Sequence, residues 1–309
     1  MNHRITLPLL LLLPALLTAC RPSRPDQEAD ALPVLTVSIE PLRYFTEALA
    51  GPHFSVHTLV PQGMSPESYD PTPRQLVELA HSRACLLTGH LGYEQVWRPR
   101  LQAAAPHTEF IDLSEGLPLI HTDTCETGQP DAHTHTHTHS HAHGIEPHIW
   151  TSPANASLIA TRILHTLCRL DTAHCFYYQS RHDSLQRCIH HIDSLTCRLL
   201  QHPRASRSFL IYHPSLTYYA HQYGLHQIAI EAQGKEPTPE ALRRLIDRCR
   251  KEQAGVIFVQ PEFDMRHAEL IARHTGTRLV PIHPLAYQWD VEMLRVAQAL
   301  ADSLPPSHP

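Results

Sequence analysis

Histidines in two different arrangements could do chemistry in this chain. One arrangement is concentrated: His133, His135, His137, His139, His141 and His143 alternate with Thr, Ser and Ala. Six imidazoles so close together cannot all be desolvated in a core, so the run is a loop. Neutral imidazole is the commonest side-chain ligand for zinc-like ions, which makes it a metal-collecting loop. A purification tag or a low-complexity linker is the plainer reading. A tag, however, sits at a terminus with uninterrupted His, whereas this run is internal and leads into Gly144-Ile145-Glu146-Pro147-His148-Ile149-Trp150. The other arrangement is scattered: His148, His213 and His283, with the carboxylate of Glu67, lie far apart in the chain. If the fold gathers them, they supply three imidazoles and one anionic oxygen, a donor set suited to tetrahedral Zn²⁺ at about 2.0–2.2 Å per bond.

The elements that would have to gather them alternate between strand and helix. Val34 to Ile39 is a short run rich in β-branched residues, and Phe54 to Val60, Cys85 to Thr88 and Glu109 to Leu113 repeat the pattern. Between them lie helical stretches: one ends near Ala50, one opens at Thr72-Pro73 and runs to Ala80, and one spans Tyr93 to Ala104. Ser152-Pro153 opens a helix to about Leu170. Asp171 is then expected to cap a second one that runs without Gly or Pro to about Gln201. About thirty helical residues span roughly 45 Å, the length of a strut between two lobes. Alternation resumes with strands at Ser208 to Tyr212, Gln227 to Ile230, Val256 to Gln260 and Arg278 to Ile282. Strands separated by helices of this length make parallel βαβ units. The expected fold class is α/β: two lobes, each a mainly parallel sheet flanked by helices, joined by one long rigid helix.

Ligands of parallel α/β sheets bind beyond the carboxyl ends of the strands. Glu67 lies in the loop Met64-Ser65-Pro66-Glu67-Ser68-Tyr69-Asp70-Pro71, His148 lies where the His-rich loop rejoins the fold, and His213 and His283 each end a predicted strand. With two from each lobe, they could converge on the cleft. Singly, each His is more readily a capped or solvated residue.

The remaining features set the boundaries. Residues 1–19 have a short positive start at Arg4 and an apolar run from Ile5 to Leu17, too short to span a bilayer comfortably, which reads as a signal peptide. Leu17-Thr18-Ala19-Cys20 resembles a lipoprotein cleavage box, making Cys20 the expected lipidation site and residues 20–32 a flexible tether. The N-terminal lobe is then 33–170, with the His-rich loop at about 119–145, the linker helix 171–202 and the C-terminal lobe 203–304. The chain of 309 residues carries a formal charge of −5 and no basic stripe, so nucleic acid is not an expected partner. Besides Cys20 there are seven cysteines, an odd number without a CxxC pair, which argues against a thiolate zinc site and leaves any disulfide pairing open.

With these blocks in order, the sequence resembles the metal-specific solute-binding lipoproteins that feed zinc or manganese ABC transporters, the ZnuA/TroA-like family. Glu146 to Pro153 resembles the family's Asp-Pro-His-x-Trp block, and Tyr212-His213-Pro214-Ser215-Leu216, with Tyr219 and Tyr223-Gly224-Leu225, the block that carries another His ligand. Glu231 to Pro239 and Val256 to Glu262 follow as in the family, and a His-rich insertion before His148 is typical of its zinc members. Two departures are visible: Glu67 stands where the family usually has His, and His283 where it usually has a carboxylate. Together they are an exchange that preserves the donor set; if Glu67 pointed elsewhere, water or Glu231 could complete it. The resemblance implies an exported, lipid-anchored monomer, not an enzyme. It would bind Zn²⁺, with Mn²⁺ as the alternative, and deliver it to a permease and its ATPase. Copper or nickel could bind in vitro. The rival readings are a surface adhesin or metal-storage lipoprotein, and a zinc hydrolase. Against the last stands the lack of a His-Glu-x-x-His helix motif and of a nucleophile elbow.

Overall fold

A computed structural model of the chain describes residues 32–122, 144–231 and 235–302. Cys20, Cys125 and the run His133 to His143 lie outside the described residues. In the first lobe, β1 (Val34–Val37) is followed by α1 (Glu40–Ala50), β2 (Ser55–Thr58), α2 (Pro73–Ala80), β3 (Ser82–Leu87), α3 (Gly92–Ala104) and β4 (Glu109–Asp112). Its sheet has the order β2-β1-β3-β4 and every pairing is parallel. Leu35, Val37, Leu86 and Leu87 are fully buried, as expected of parallel strands covered by helices on both faces. A short antiparallel ribbon of β5 (His121–Thr122) and β6 (Gly144–Ile145) closes the two ends of the His-rich insertion.

Beyond the ribbon come α4 (Pro153–Leu170) and α5 (Cys175–Leu200). The second lobe consists of β7 (Ser208–Ile211), α6 (Thr217–Tyr223), β8 (His226–Ala229), α7 (Pro239–Lys251), β9 (Val256–Val259), α8 (Arg266–Thr275), β10 (Arg278–Pro281) and α9 (Trp289–Ala301). Its sheet has the order β10-β9-β7-β8, again all parallel. The expected architecture of two parallel α/β lobes and one long helix is therefore observed. At 26 residues α5 spans roughly 39 Å, and it packs on α1, α4 and α9, so it touches both lobes.

One local expectation changes. Asp171 does not cap the long helix; a 3₁₀ turn over Thr172–His174 intervenes and α5 starts at Cys175. The Asp171 carboxylate instead accepts hydrogen bonds from the Tyr178 hydroxyl at 2.6 Å and the His174 ring at 2.7 Å. A disulfide joins Cys168 to Cys175 across this corner, a pairing that the sequence left open. Among the described residues, Cys85, Cys188, Cys197 and Cys249 are free thiols, and no helix is long and apolar enough to cross a membrane.

The lobes are not held by the long helix alone. The Trp289 indole donates to the Trp150 carbonyl at 2.7 Å, and the Trp150 indole donates to the Pro284 carbonyl at 2.8 Å; both bonds are buried. The Tyr287 hydroxyl reaches Glu47 at 2.7 Å, and the Phe45 and Trp289 rings meet edge-on at 5.2 Å. A single cluster of buried apolar side chains runs from Leu35 through Phe45 and Trp150 to Phe258 and Met293. Wide opening would expose that surface, at about 25 cal/mol per Å² of apolar area, so the cleft is stiff by construction.

Candidate metal centre

Each scattered residue is aimed by local chemistry. Glu67 rides on the loop between β2 and α2. Thr72 and Gln75 form a capping box that starts α2 behind Pro73. Gln75 also donates to the Leu59 carbonyl at 2.5 Å and accepts from the Tyr69 hydroxyl at 2.7 Å, tying both ends of the loop down. The half-buried Trp97 packs against the core and also holds the loop by donating to Asp70 at 2.8 Å. The Tyr93 amide donates to the Pro66 carbonyl at 3.1 Å. A Cβ on Gly92 would lie 2.6 Å from the Glu67 carbonyl oxygen and 3.0 Å from its carboxylate, so the loop can sit here only against a residue without a side chain.

His148 precedes a 3₁₀ turn and the Ser152 cap of α4. Its ring is almost fully buried, and Nδ1 donates to the buried Glu146 carboxylate in a short contact. The Glu146 main chain is in turn held by Ile120 at 2.9 Å and by the Tyr218 hydroxyl at 3.1 Å. His213 follows β7. The Gln260 side-chain amide clamps its main chain, the oxygen accepting from the His213 amide at 3.2 Å and the nitrogen donating to the His213 carbonyl at 2.8 Å, and the Phe263 ring stacks on the imidazole at 5.1 Å. His213 Nδ1 donates to the buried Glu231 carboxylate at 2.7 Å.

With both Nδ1 atoms committed to carboxylates, both Nε2 atoms turn inward, 3.2 Å apart. In neutral rings these would be two facing lone pairs, an arrangement that repels unless a cation or a shared proton lies between them. Ligand atoms of a tetrahedral zinc site lie about 3.3 Å from one another, from bonds of ~2.0–2.1 Å. The Glu67 carboxylate stands 3.9 Å from His148 Nε2, and the ligand atoms of Glu67, His148 and His213 all lie within 4.8 Å of one another. The cavity that they line, with Trp150, Ser215, Gln260, Glu262, Phe263 and Pro284, holds ≈ 20 Å³. That admits little more than one water-sized body, a size that suits an ion.

Electrostatics matches the geometry. Burial pushes the His148 ring down, but the carboxylates of Glu146, Glu67 and Glu231 overcome it, and the ring holds its proton above the ordinary 6.5. Burial likewise pushes Glu146 up, yet the adjacent imidazole and its hydrogen bonds leave it below the ordinary 4.5. The site is therefore a pocket of negative potential that favours cations.

Three of the four sequence-derived residues are thus brought together. His283 stands outside the 4.8 Å group, half-buried one residue before Pro284 of the cavity wall, its amide donating to Glu292 at 2.6 Å. Glu262 lies in the wall and feels the charges of both His213 and His283, while burial raises its carboxyl above the ordinary range. Glu231 backs His213, so the role considered for it as a substitute ligand is already taken by a hydrogen bond. The backing carboxylates Glu146 and Glu231 were not singled out by spacing, because nothing in a linear pattern shows which ring a carboxylate will meet.

Comparison with known proteins shows the family. The family described as "Zinc-uptake complex component A periplasmic" matches residues 35–297. The chain belongs to that family. It is accordingly an exported substrate-binding component of a metal ABC transporter, a class that works with a permease and an ATPase. It is 26% identical over 266 residues to the high-affinity zinc uptake system protein ZnuA of Bacillus subtilis, covering 84% of this chain and 80% of the relative. It is 21% identical over 291 residues to the manganese ABC transporter substrate-binding lipoprotein PsaA of Streptococcus anginosus, covering 90% and 87%. A crystal structure of ZnuA superposes with a TM-score of 0.79 at 31% identity, covering 88% of this chain and 99% of that one. A zinc-bound ZnuA deletion mutant gives 0.78 at 31%, covering 90% and 100%.

Proposed function

We propose that the chain captures Zn²⁺ in the interlobe cleft, with Glu67, His148 and His213 as ligands and His283 as the fourth, and delivers it to its permease. The observation that carries this reading is the pair of Nε2 atoms 3.2 Å apart, each fixed in tautomer and direction by a buried carboxylate behind it. Such backing sets ring orientation and raises ligand basicity in metal sites. His283, whose charge acts on Glu262 of the cavity wall, would supply the remaining imidazole by moving inward. Four protein ligands leave no open coordination position, which is the arrangement of a carrier and not of a catalytic zinc. Manganese is the second reading, because Glu67 and Glu262 both face the cavity and manganese prefers oxygen donors.

The rest of the chain completes the reading. Cys20 would carry the lipid that anchors a monomer by the tether of residues 20–32. His133 to His143 would gather zinc at lower affinity near the strand end that leads to His148. Native mass spectrometry of the full chain with zinc, and with manganese in competition, tests the assignment. The wild type is expected to hold one tightly bound zinc that excess manganese does not displace, and a His148→Ala, His213→Ala variant to lose that equivalent. Unchanged stoichiometry would overturn the cleft assignment, and displacement by manganese would overturn the choice of ion. Deleting residues 133–143 should remove weaker zinc alone.

A further inference from the structure

A second constellation of ligand side chains lies away from the cleft, at the corner where the first lobe meets the long helix. His53 comes from the 3₁₀ turn between α1 and β2, Asp171 from just past the end of α4 and His174 from the 3₁₀ turn that leads into α5. Ligand atoms of all three lie within 4.8 Å of one another. The two imidazoles stack with centroids 3.9 Å apart and planes tilted by 27°. Tyr178 and His174 both hydrogen-bond the same oxygen of Asp171, Oδ2, at 2.6 and 2.7 Å, which orients the carboxylate. His53 is further held edge-on by the Tyr177 and Tyr178 rings, at 4.9 and 5.8 Å.

The corner is built rather than accidental in its rigidity. Asp171 and His174 lie inside the short loop closed by the Cys168–Cys175 disulfide, so their backbone positions are constrained relative to each other. The three ligand atoms already lie within 4.8 Å of one another, against the ~3.3 Å separations of a four-coordinate zinc site. Two imidazoles and one carboxylate, with the fourth position open to water, are the donors of a borderline divalent cation. We propose that His53, Asp171 and His174 form a second site for a zinc-class divalent cation, weaker than the cleft, which ties the α1–β2 turn to the start of α5. It is weaker because it offers three ligands instead of four and because His174 is exposed. Its consequence is mechanical: a bound ion pins the long helix to the first lobe. The site has no dependence on which residues hold the ion in the cleft.

Residue-resolved labelling of histidines with diethyl pyrocarbonate, read by mass spectrometry on the full chain titrated with zinc alone, tests this. His53 and His174 are expected to lose reactivity together, at one midpoint, after the more accessible cleft ring, His213, has become protected. Asp171→Asn should move that midpoint up at least about tenfold and leave the zinc protection of His213 unchanged, which also shows that the variant is folded. Should His213 also become reactive in Asp171→Asn, His53→Gln takes its place and must restore labelling of His174. Separate midpoints, no protection, or protection indifferent to Asp171 and His53 would overturn the site.

Discussion

The cleft and the corner use similar donors in different settings. In the cleft, His148 and His213 are each backed by a buried carboxylate that serves as a hydrogen-bond acceptor and leaves Nε2 bare. At the corner the one carboxylate, Asp171, is itself a ligand candidate and is held from behind by a tyrosine. The difference teaches what a high-affinity site requires: burial and backing fix the donors before the ion arrives, so little conformational freedom remains to be lost on binding. At the corner the same freedom is only partly removed, by the disulfide and the ring stack.

Breaking the cleft should have the largest effect. The double substitution His148→Ala, His213→Ala is expected to weaken tight zinc binding by far more than the ~10–100-fold that backing residues command, as measured by competition with a chromophoric chelator. A loss confined to that range would mean that the imidazoles are not ligands. Next comes Glu231→Gln, which keeps size but removes the charged acceptor behind His213; zinc affinity should fall about 10–100-fold with little change in far-ultraviolet dichroism. No change would show that the backing carboxylate is irrelevant and would erase the distinction between cleft and corner.

Acid sharpens the contrast in a signed way. Because His148 holds its proton above the ordinary 6.5, zinc must displace a proton already near neutral pH, and affinity falls by up to about tenfold per pH unit below that onset for each proton displaced. Glu146→Gln removes the largest influence holding that proton, so the onset should move to lower pH even as affinity at high pH declines. An onset that moves upward would contradict the assigned role of Glu146. In the metal-free protein the pair is self-stabilising: the raised His148 contributes below 6.5 and loses it as pH rises through its folded value, while the lowered Glu146 contributes above 4.5 and loses it as pH falls. The stability difference between wild type and Glu146→Gln should therefore be greatest between those two values, measured by thermal denaturation. Smallest of all is Gly92→Ala, whose Cβ would force the Glu67 main chain to shift and which should cost zinc affinity, though less than Glu231→Gln; an unchanged affinity would contradict the close packing assigned to Gly92.

Much of the fold was legible because parallel strands announce themselves. Val34 to Val37 and Val256 to Val259 are continuous apolar, β-branched runs bounded by breaks, and both are buried strands. Glu67, His148 and His213 were legible for a topological reason, since each follows a strand or re-entry point whose end faces the cleft. Asp171 was misread because a carboxylate before a helical pattern is the usual capping signal, and the side chains of Tyr178 and His174, seven and three residues on, outcompeted the backbone amides. The corner triad was invisible for another reason: His53 meets Asp171 and His174 only after the first lobe has folded against α5.

The most direct measurement is anomalous diffraction at the zinc edge from crystals of the full chain loaded with one equivalent of zinc. A single peak is expected about 2.0–2.2 Å from His148 Nε2, His213 Nε2 and the Glu67 carboxylate. A first equivalent bound at His53, Asp171 and His174 instead, or a cleft ion without those three ligands, would contradict the account.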